Sequence, residues 1–285
     1  MSSIAPADAA DRWTVNEPPR RGMPRLKAGD FWAHRELIYF LAQRDLKVRY
    51  KQAFLGVAWA LLQPLVGAAF FYALFHRLAK IELATGSYFA FAILGAGTWS
   101  YFSSAVQAGT NSLLNHVNLT TKVAFPRIVA PTAALLPGLV DLTVAATLAL
   151  AVAGFRGDVP AVGELVVGVP AGLALLVLAA AGPAWLLSAT VVQYRDVVAL
   201  TTFALQFLQF ASPVAYPPEF LPEPWRTLVY LNPVSGAVGT LRWALVGTVR
   251  PPLTSLLISV GIAGVLAVAG LLHFRRRERA FADVI

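Results

Sequence analysis

Residues 43–64 read QRDLKVRYKQAFLGVAWALLQP. Arg44, Lys47, Arg49 and Lys51, with Arg35 further back, precede an apolar run that opens at Phe54 and meets no Asp, Glu, Lys or Arg before Arg77. A basic collar followed by about twenty apolar residues is what a helix needs to enter a bilayer from the side on which its cations stay. Further apolar runs follow, separated by short polar pieces. The pattern predicts an all-α integral membrane protein with six transmembrane helices, at residues 55–76, 88–108, 128–153, 165–192, 198–216 and 254–274.

Composition agrees. The chain is 57% hydrophobic and 13% charged, against about 45–50% and about 25% in soluble domains. Its net charge of +8 does not indicate a nucleic-acid partner, because Lys and Arg gather at the ends of apolar runs. Seventeen lie on the side that holds the N-terminal segment, the connections after spans two and four and the C-terminal tail; six lie on the other. Both termini are therefore expected to be cytoplasmic. There is no cysteine, so disulfides and thiolate metal sites are excluded.

Residues 1–29 carry no apolar core of the roughly 7–15 residues that a cleaved signal peptide needs. They are expected to be a flexible cytoplasmic tail, with the first span acting as its own insertion signal. Residues 30–53 predict an amphipathic interfacial helix, with an ordinary soluble helix as the alternative, Asp30 serving as N-cap and Leu37, Ile38, Leu41 and Val48 sharing one side. Asp45 and Arg49 fall on that side too, spaced to pair with each other. Residues 54–285 form the six-span domain.

Between spans two and three, NSLLNHVNLTTKVAFPR (residues 111–127) reads as a polar connection with a short apolar helical centre, ended or bent by Pro126. It is either a docking surface for a partner or a plain connector. Span three holds Asp141, an acid within an apolar span. Such a charge is by default a functional-site hypothesis, although Thr143, Thr147 and the carbonyl freed by Pro137 offer a local structural answer. In span four Gly168 and Gly172, with Ala179, Ala180, Ala181 and Gly182, predict close helix packing.

Span five places Phe203, Phe207 and Phe210 at helical spacing with Gln206 and Gln209 beside them, which favours a wet lumen or a neighbouring helix over lipid. The segment 217–252 contains two short apolar pieces opened by Glu223-Pro224 and Asn232-Pro233. In the second, Val234, Val238, Leu241 and Leu245 recur at helical spacing. Too short to cross lipid, both pieces predict re-entrant or interfacial helices forming an outer lid, with Trp225, Tyr230, Arg242 and Trp243 near the water boundary.

The chain has no G-x-x-x-x-G-K-[ST] phosphate cradle. Its four histidines form no HExxH or other metal cluster, so neither a catalytic site nor a metal is expected. No set of carboxylates stands in the spans to support a transferase or an ion-coupled carrier.

Four pieces, QRDLKVRYKQAFLGVAWALLQP, NLTTKVAFPRIVAPTAALLPGLVD, VVQYRDV and SPVAYPPEFLPEPWRTLVYLNPVSGAVGTLRWALVG, together resemble the membrane (permease) subunit of ATP-binding-cassette exporters of lipid-linked cell-surface polysaccharides. That group carries O-antigen, capsule, teichoic acid and galactan chains. The resemblance implies a half-transporter in the cytoplasmic membrane of a bacterium, two copies pairing with two copies of a separate ATPase that holds ATP and Mg, no cofactor on this chain, and a lipid-linked glycan as substrate. It places ATPase contacts on residues 30–53 and 111–123, notably Arg44, Asp45, Asn111, Leu113, Leu114, Asn115 and His116. It implies a channel between the copies lined by spans one and five, with Phe70, Phe71, Phe75, Phe207, Phe210 and Tyr216 as candidates. Two alternatives stay open: a permease of the same superfamily that moves a drug or small lipid, and an intramembrane transferase.

Overall fold

The structure is a computed structural model and describes residues 34–51, 58–115, 126–158 and 160–278. The expected tail 1–29, Asp30 and His116 lie outside the described residues. Among the described residues all regular structure is helical.

Helix α1 (Arg35–Lys51) precedes α2 (Ala58–Phe71), which continues through a π-helical turn, Tyr72–Leu78. Then come α3 (Tyr88–Asn115), α4 (Val129–Ala133), α5 (Gly138–Phe155), α6 (Val162–Val191), α7 (Val197–Ala211), a 3₁₀ turn (Pro218–Phe220), α8 (Trp225–Tyr230), α9 (Pro233–Val246) and α10 (Leu253–Glu278). Among the described residues five stretches are long and apolar enough to cross a bilayer: Ala58–Leu78, Tyr88–Asn115, Val129–Phe155, Val162–Val191 and Leu253–Glu278. This is a multi-pass membrane protein.

The expected fifth span differs. Its helix, α7, has 15 residues, a rise of about 22 Å against a hydrocarbon core of about 30 Å. It stops at Ala211 because Pro213, Pro217 and Pro218 supply no backbone N–H, and Ser212, preceding a proline, is extended at φ −100°, ψ 148°. The third span also differs, being broken by turns between Ala133 and Gly138. Pro137 stands in this break. Conversely α3 runs to Asn115, so residues 111–115 are its last turn and not a loop.

Helix α3 is the most buried span and packs against α2, α5, α6, α7 and α9. Two of its threonines are met within the helix: Thr98 and Thr110 donate to the carbonyls of Leu94 and Val106 one turn back, which is how an apolar helix carries threonine in lipid. Helix α6 crosses between α9 and α10. Gly168 and Gly172 make that possible, since a Cβ on either would stand 2.5 Å from Ala244 Cβ or 2.7 Å from Leu241 Cγ. The expected small-residue surface is thus a helix interface.

Both expected short helices exist, and Asn232 caps α9 by accepting from Val234 N–H at 3.0 Å with Pro233 in the first turn. Yet α9 is no surface helix. Val234, Val238, Leu241 and Leu245 are buried, and so are Ser235, Ala237, Thr240, Arg242 and Ala244 on its other sides. Packing from α3, α5, α6 and α10 encloses it. Hydrophobic spacing alone marked one face; small residues on the remaining faces let neighbours close on those too.

Candidate transport face and coupling site

The α1 end is organised by an ion pair. Leu41, with Leu37 and Ile38 beside it, packs on Val129 and Ala133 of α4, while Tyr39, Phe40 and Val48 are exposed. Val48 therefore does not share the buried side, as its spacing suggested. The anticipated Asp45–Arg49 pair does not form. Arg44 holds Asp45 at 2.9 Å, and Arg49 reaches across the fold to Asp141, Nη1 to Oδ2 2.5 Å. Tyr50 donates its hydroxyl to the other oxygen of Asp141. Burial, then the hydrogen bond and charge of Asp141, pushes Tyr50 up to about 12, so it remains a donor at physiological pH.

Asp141 therefore owes nothing to Thr143 or Thr147, whose hydroxyls donate to Leu139 and Thr143 carbonyls. It stands in the first turn of α5, because the break at Pro137 brings that turn toward α1. Beyond it opens a groove of about 270 Å³ between α2, α3, α5 and α7, half polar and half apolar, whose polar lining comes from Gln63, Ser100, Asp141 and Gln209. Gln63 donates to Ser100 Oγ at 3.0 Å. Arg49, Tyr50, Gln63 and Ser100 were missed as a group. Arg49 was assigned to orientation and to a pair with Asp45, and a lone amide beside Pro64 carries little signal.

Of the candidate channel residues, Phe70, Phe207 and Phe210 are 60–68% exposed. Phe71 is mostly buried but lines the groove beside Gln63 and Asp141, and Phe75 is half-buried against the core. Tyr216 is half-buried and donates to Phe210 O at 3.1 Å. On α7 the exposed stripe is Phe203, Gln206, Phe207 and Phe210, spaced as one helical face. Gln206 makes no hydrogen bond among the described residues. On α2 the exposed stripe is Trp59, Leu62, Val66 and Phe70.

The candidate coupling residues divide. Asn115 is exposed and Leu114 half-buried, and Asn111 donates its amide to Gln107 O at 3.0 Å. Leu113 is fully buried with Ile128, Ala130, Ala189 and Phe274. A side chain in that cluster cannot be presented to a partner, so Leu113 is a packing residue.

At the other end, Trp225 is exposed and Tyr230 and Trp243 half-buried, Trp243 lying 5.1 Å beneath the Arg250 guanidinium. Arg242 is enclosed by the fold and not exposed as Trp225 is. It is 3% exposed, its guanidinium 3.3 Å from the Phe91 ring centroid, bonded to the carbonyls of Phe91, Pro213 at 2.6 Å and Val214 at 2.5 Å. Tyr88 donates to the next carbonyl, Ala215. Unwound backbone inside a membrane protein must have its carbonyls met, and Arg242, with five fixed donors, meets them where α7 ends. Gly95 leaves room for it, since a Cβ there would lie 2.2 Å from both Arg242 Nη2 and Val214 O.

The comparisons with known proteins fall on this same framework. Over 254 residues, 88% of this chain and 95% of the relative, the chain is 25% identical to the O-antigen export system permease protein RfbA of Klebsiella pneumoniae. It is 27% identical over 258 residues to the protein of that name from Myxococcus xanthus, covering 90% of this chain and 98% of the relative. The ABC-2 type transporter family model matches residues 36–246, from the start of α1 through the end of α9. With α1 latched to the first turn of α5 and the end of α7 tied down by Arg242 both inside that match, the chain belongs to the ABC-2 type transporter family.

Proposed function

We propose that this chain is the permease subunit of an ATP-driven exporter that moves a lipid-linked polysaccharide across the cytoplasmic membrane of a bacterium. The observation that carries this reading is the α7 stripe, where Gln206 stands exposed among Phe203, Phe207 and Phe210. An amide facing lipid would forfeit its hydrogen bonds, at a cost of several kcal/mol. Facing a hydrated path it keeps them, and the flanking rings offer the apolar C–H faces of sugars repeated weak contacts with no deep well to stall a polymer. The similarity to O-antigen export permeases supports the substrate class.

In this reading α7 and the turns after it, 212–216, complete a sixth crossing, so that both termini are cytoplasmic, as the distribution of Lys and Arg requires. Two copies face each other across α2 and α7. Two ATPase subunits, holding ATP and Mg, dock beneath α1 and the end of α3, with Arg44, Asp45, Asn111, Leu114 and Asn115 at or near the contact. The Arg49–Asp141 pair passes their movement into α5 as rigid-body tilting. The loop segment from Pro218 through α8, carrying Trp225 and Tyr230, covers the outer mouth.

Deleting the chain is expected to remove surface glycan and trap lipid-linked glycan inside the cell. Normal surface glycan with sensitivity to a drug would overturn the substrate assignment in favour of small-molecule export. Glycosyl transfer by the purified chain without an ATPase would overturn the transport reading itself.

A further inference from the structure

Opposite the α1 end lies a hydrophilic pocket of about 250 Å³ that the transport path does not use. Three separate pieces build it: the π-helical end of α2, the start of α3 with the residues before it, and Arg156 just after α5. The π turn shapes it. Ala79 N–H reaches back five residues to Leu74 O, and Ile81 N–H to Phe75 O at 2.9 Å, so the chain winds wider than an α-helix and sets Tyr72 and His76 against α3.

Each wall has a defined chemistry. His76 Nδ1 is 3.1 Å from Ile81 O; a carbonyl only accepts, so Nδ1 is the donor, and the tautomer that matches this bond has Nε2 as its acceptor. The imidazole stacks on Tyr88 with centroids 5.1 Å apart. Tyr72 meets Phe89 edge to face at 6.1 Å and 88°, closing an apolar corner. Glu82 and Arg156, both exposed, add a carboxylate and a planar guanidinium. Ser87, 2% exposed, has a buried hydroxyl with no hydrogen-bond partner.

A pyranose presents an apolar C–H face and a rim of hydroxyls that each donate and accept. The pocket offers the counterpart: ring carbons on one side, acceptors at His76 and Glu82, and donors at Arg156. We propose that it binds one sugar unit of a glycan, on the face where the polymer leaves the transporter. Glu82 sets a free phosphate at a disadvantage, and Arg156 does the same to a metal ion. The assignment rests on the glycan-export reading and extends it to a site beside the path.

The test uses the full chain in lipid nanodiscs without any ATPase, titrated with short manno-, galacto- and galacturono-oligosaccharides and followed by saturation-transfer NMR. At least one series is expected to saturate with a Kd on the order of millimolar, and Glu82→Gln and Arg156→Met, both at exposed positions, each to weaken it about tenfold by removing a charge-assisted hydrogen bond. Absence of binding by every series, or binding that both variants leave unchanged, overturns the pocket. The titration measures no export, so its failure leaves the deletion experiment standing. Intact surface glycan in the deletion strain would instead remove the export reading while the titration still decides the pocket.

Discussion

The ion pair between α1 and α5 makes a quantitative prediction. Arg49 Nη1 and Asp141 Oδ2 are 2.5 Å apart, with side chains 36% and 27% exposed. A charge-assisted hydrogen bond contributes about 1.5–3 kcal/mol net, whereas exposed pairs contribute only about 0.2–1. One-third exposure places the coupling between these, at about 1–2 kcal/mol, a factor of roughly 5–30 in the docking equilibrium of α1. The perturbation is a double-mutant cycle, Arg49→Met, Asp141→Asn and both together, read by amide hydrogen exchange along α1 in nanodiscs. Each single change should speed exchange in α1 by roughly 5- to 30-fold, and the double should add little to the larger single. The swap of Arg49→Asp with Asp141→Arg should restore part of the protection, and ATP-driven export with the partner ATPase should fall and recover in the same order. Single effects that sum to the double within about 0.3–0.5 kcal/mol would show that the two side chains act independently and would refute the latch.

Three other outcomes follow from the packing. Gly95→Ala places a methyl group 2.2 Å from Arg242 Nη2 and Val214 O, both held by neighbouring bonds, so the melting temperature of the detergent-purified chain should drop by an amount equivalent to about 1–3 kcal/mol or more. Leu113→Ala empties a fully buried site and should cost about 2–5 kcal/mol of stability in the isolated chain, with no ATPase present; an effect seen only in the complex would restore Leu113 as a contact residue. Phe207→Ala with Phe210→Ala alters exposed rings, so the chain should assemble at normal yield while glycan export in proteoliposomes slows, and unchanged export would remove both from the path.

The apolar runs showed in the sequence because lipid imposes a length and a polarity that few other solvents demand, and α2, α3, α6 and α10 lie where hydropathy places them. Helix ends were less visible. Residues 111–115 read as a loop because Asn111, Ser112 and Asn115 are polar, but inside the helix Asn111 and Ser112 bond back to Gln107 and Gly109 carbonyls. Arg242 misled for a related reason. An arginine beside a tryptophan at the end of an apolar run is the pattern of a membrane boundary, and nothing local reveals that Pro213 and Val214, some thirty residues earlier, leave carbonyls that need its donors. Asp141 was visible as an anomaly, but its partner was not, since Arg49 is 92 residues away and looks like one more cation in a basic collar.

Burial is distributed unevenly, and the unevenness bears on mechanism. Helices α3, α6 and α9 form a tightly joined interior, with small residues between them and Arg242 binding that interior to the end of α7. Helix α2 is the least buried of the five long spans, and α7 buries only Thr201 and Leu205. The proposed path between two copies suits this division, because faces that part must do so without breaking a packed core, and interiors at close packing do not deform gradually. The groove that begins at Asp141 and holds Gln63 and Ser100 lies along the boundary between α2 and the interior. A pull on α1 that shifts Asp141 therefore acts on the seam where α2 has the least to lose by moving.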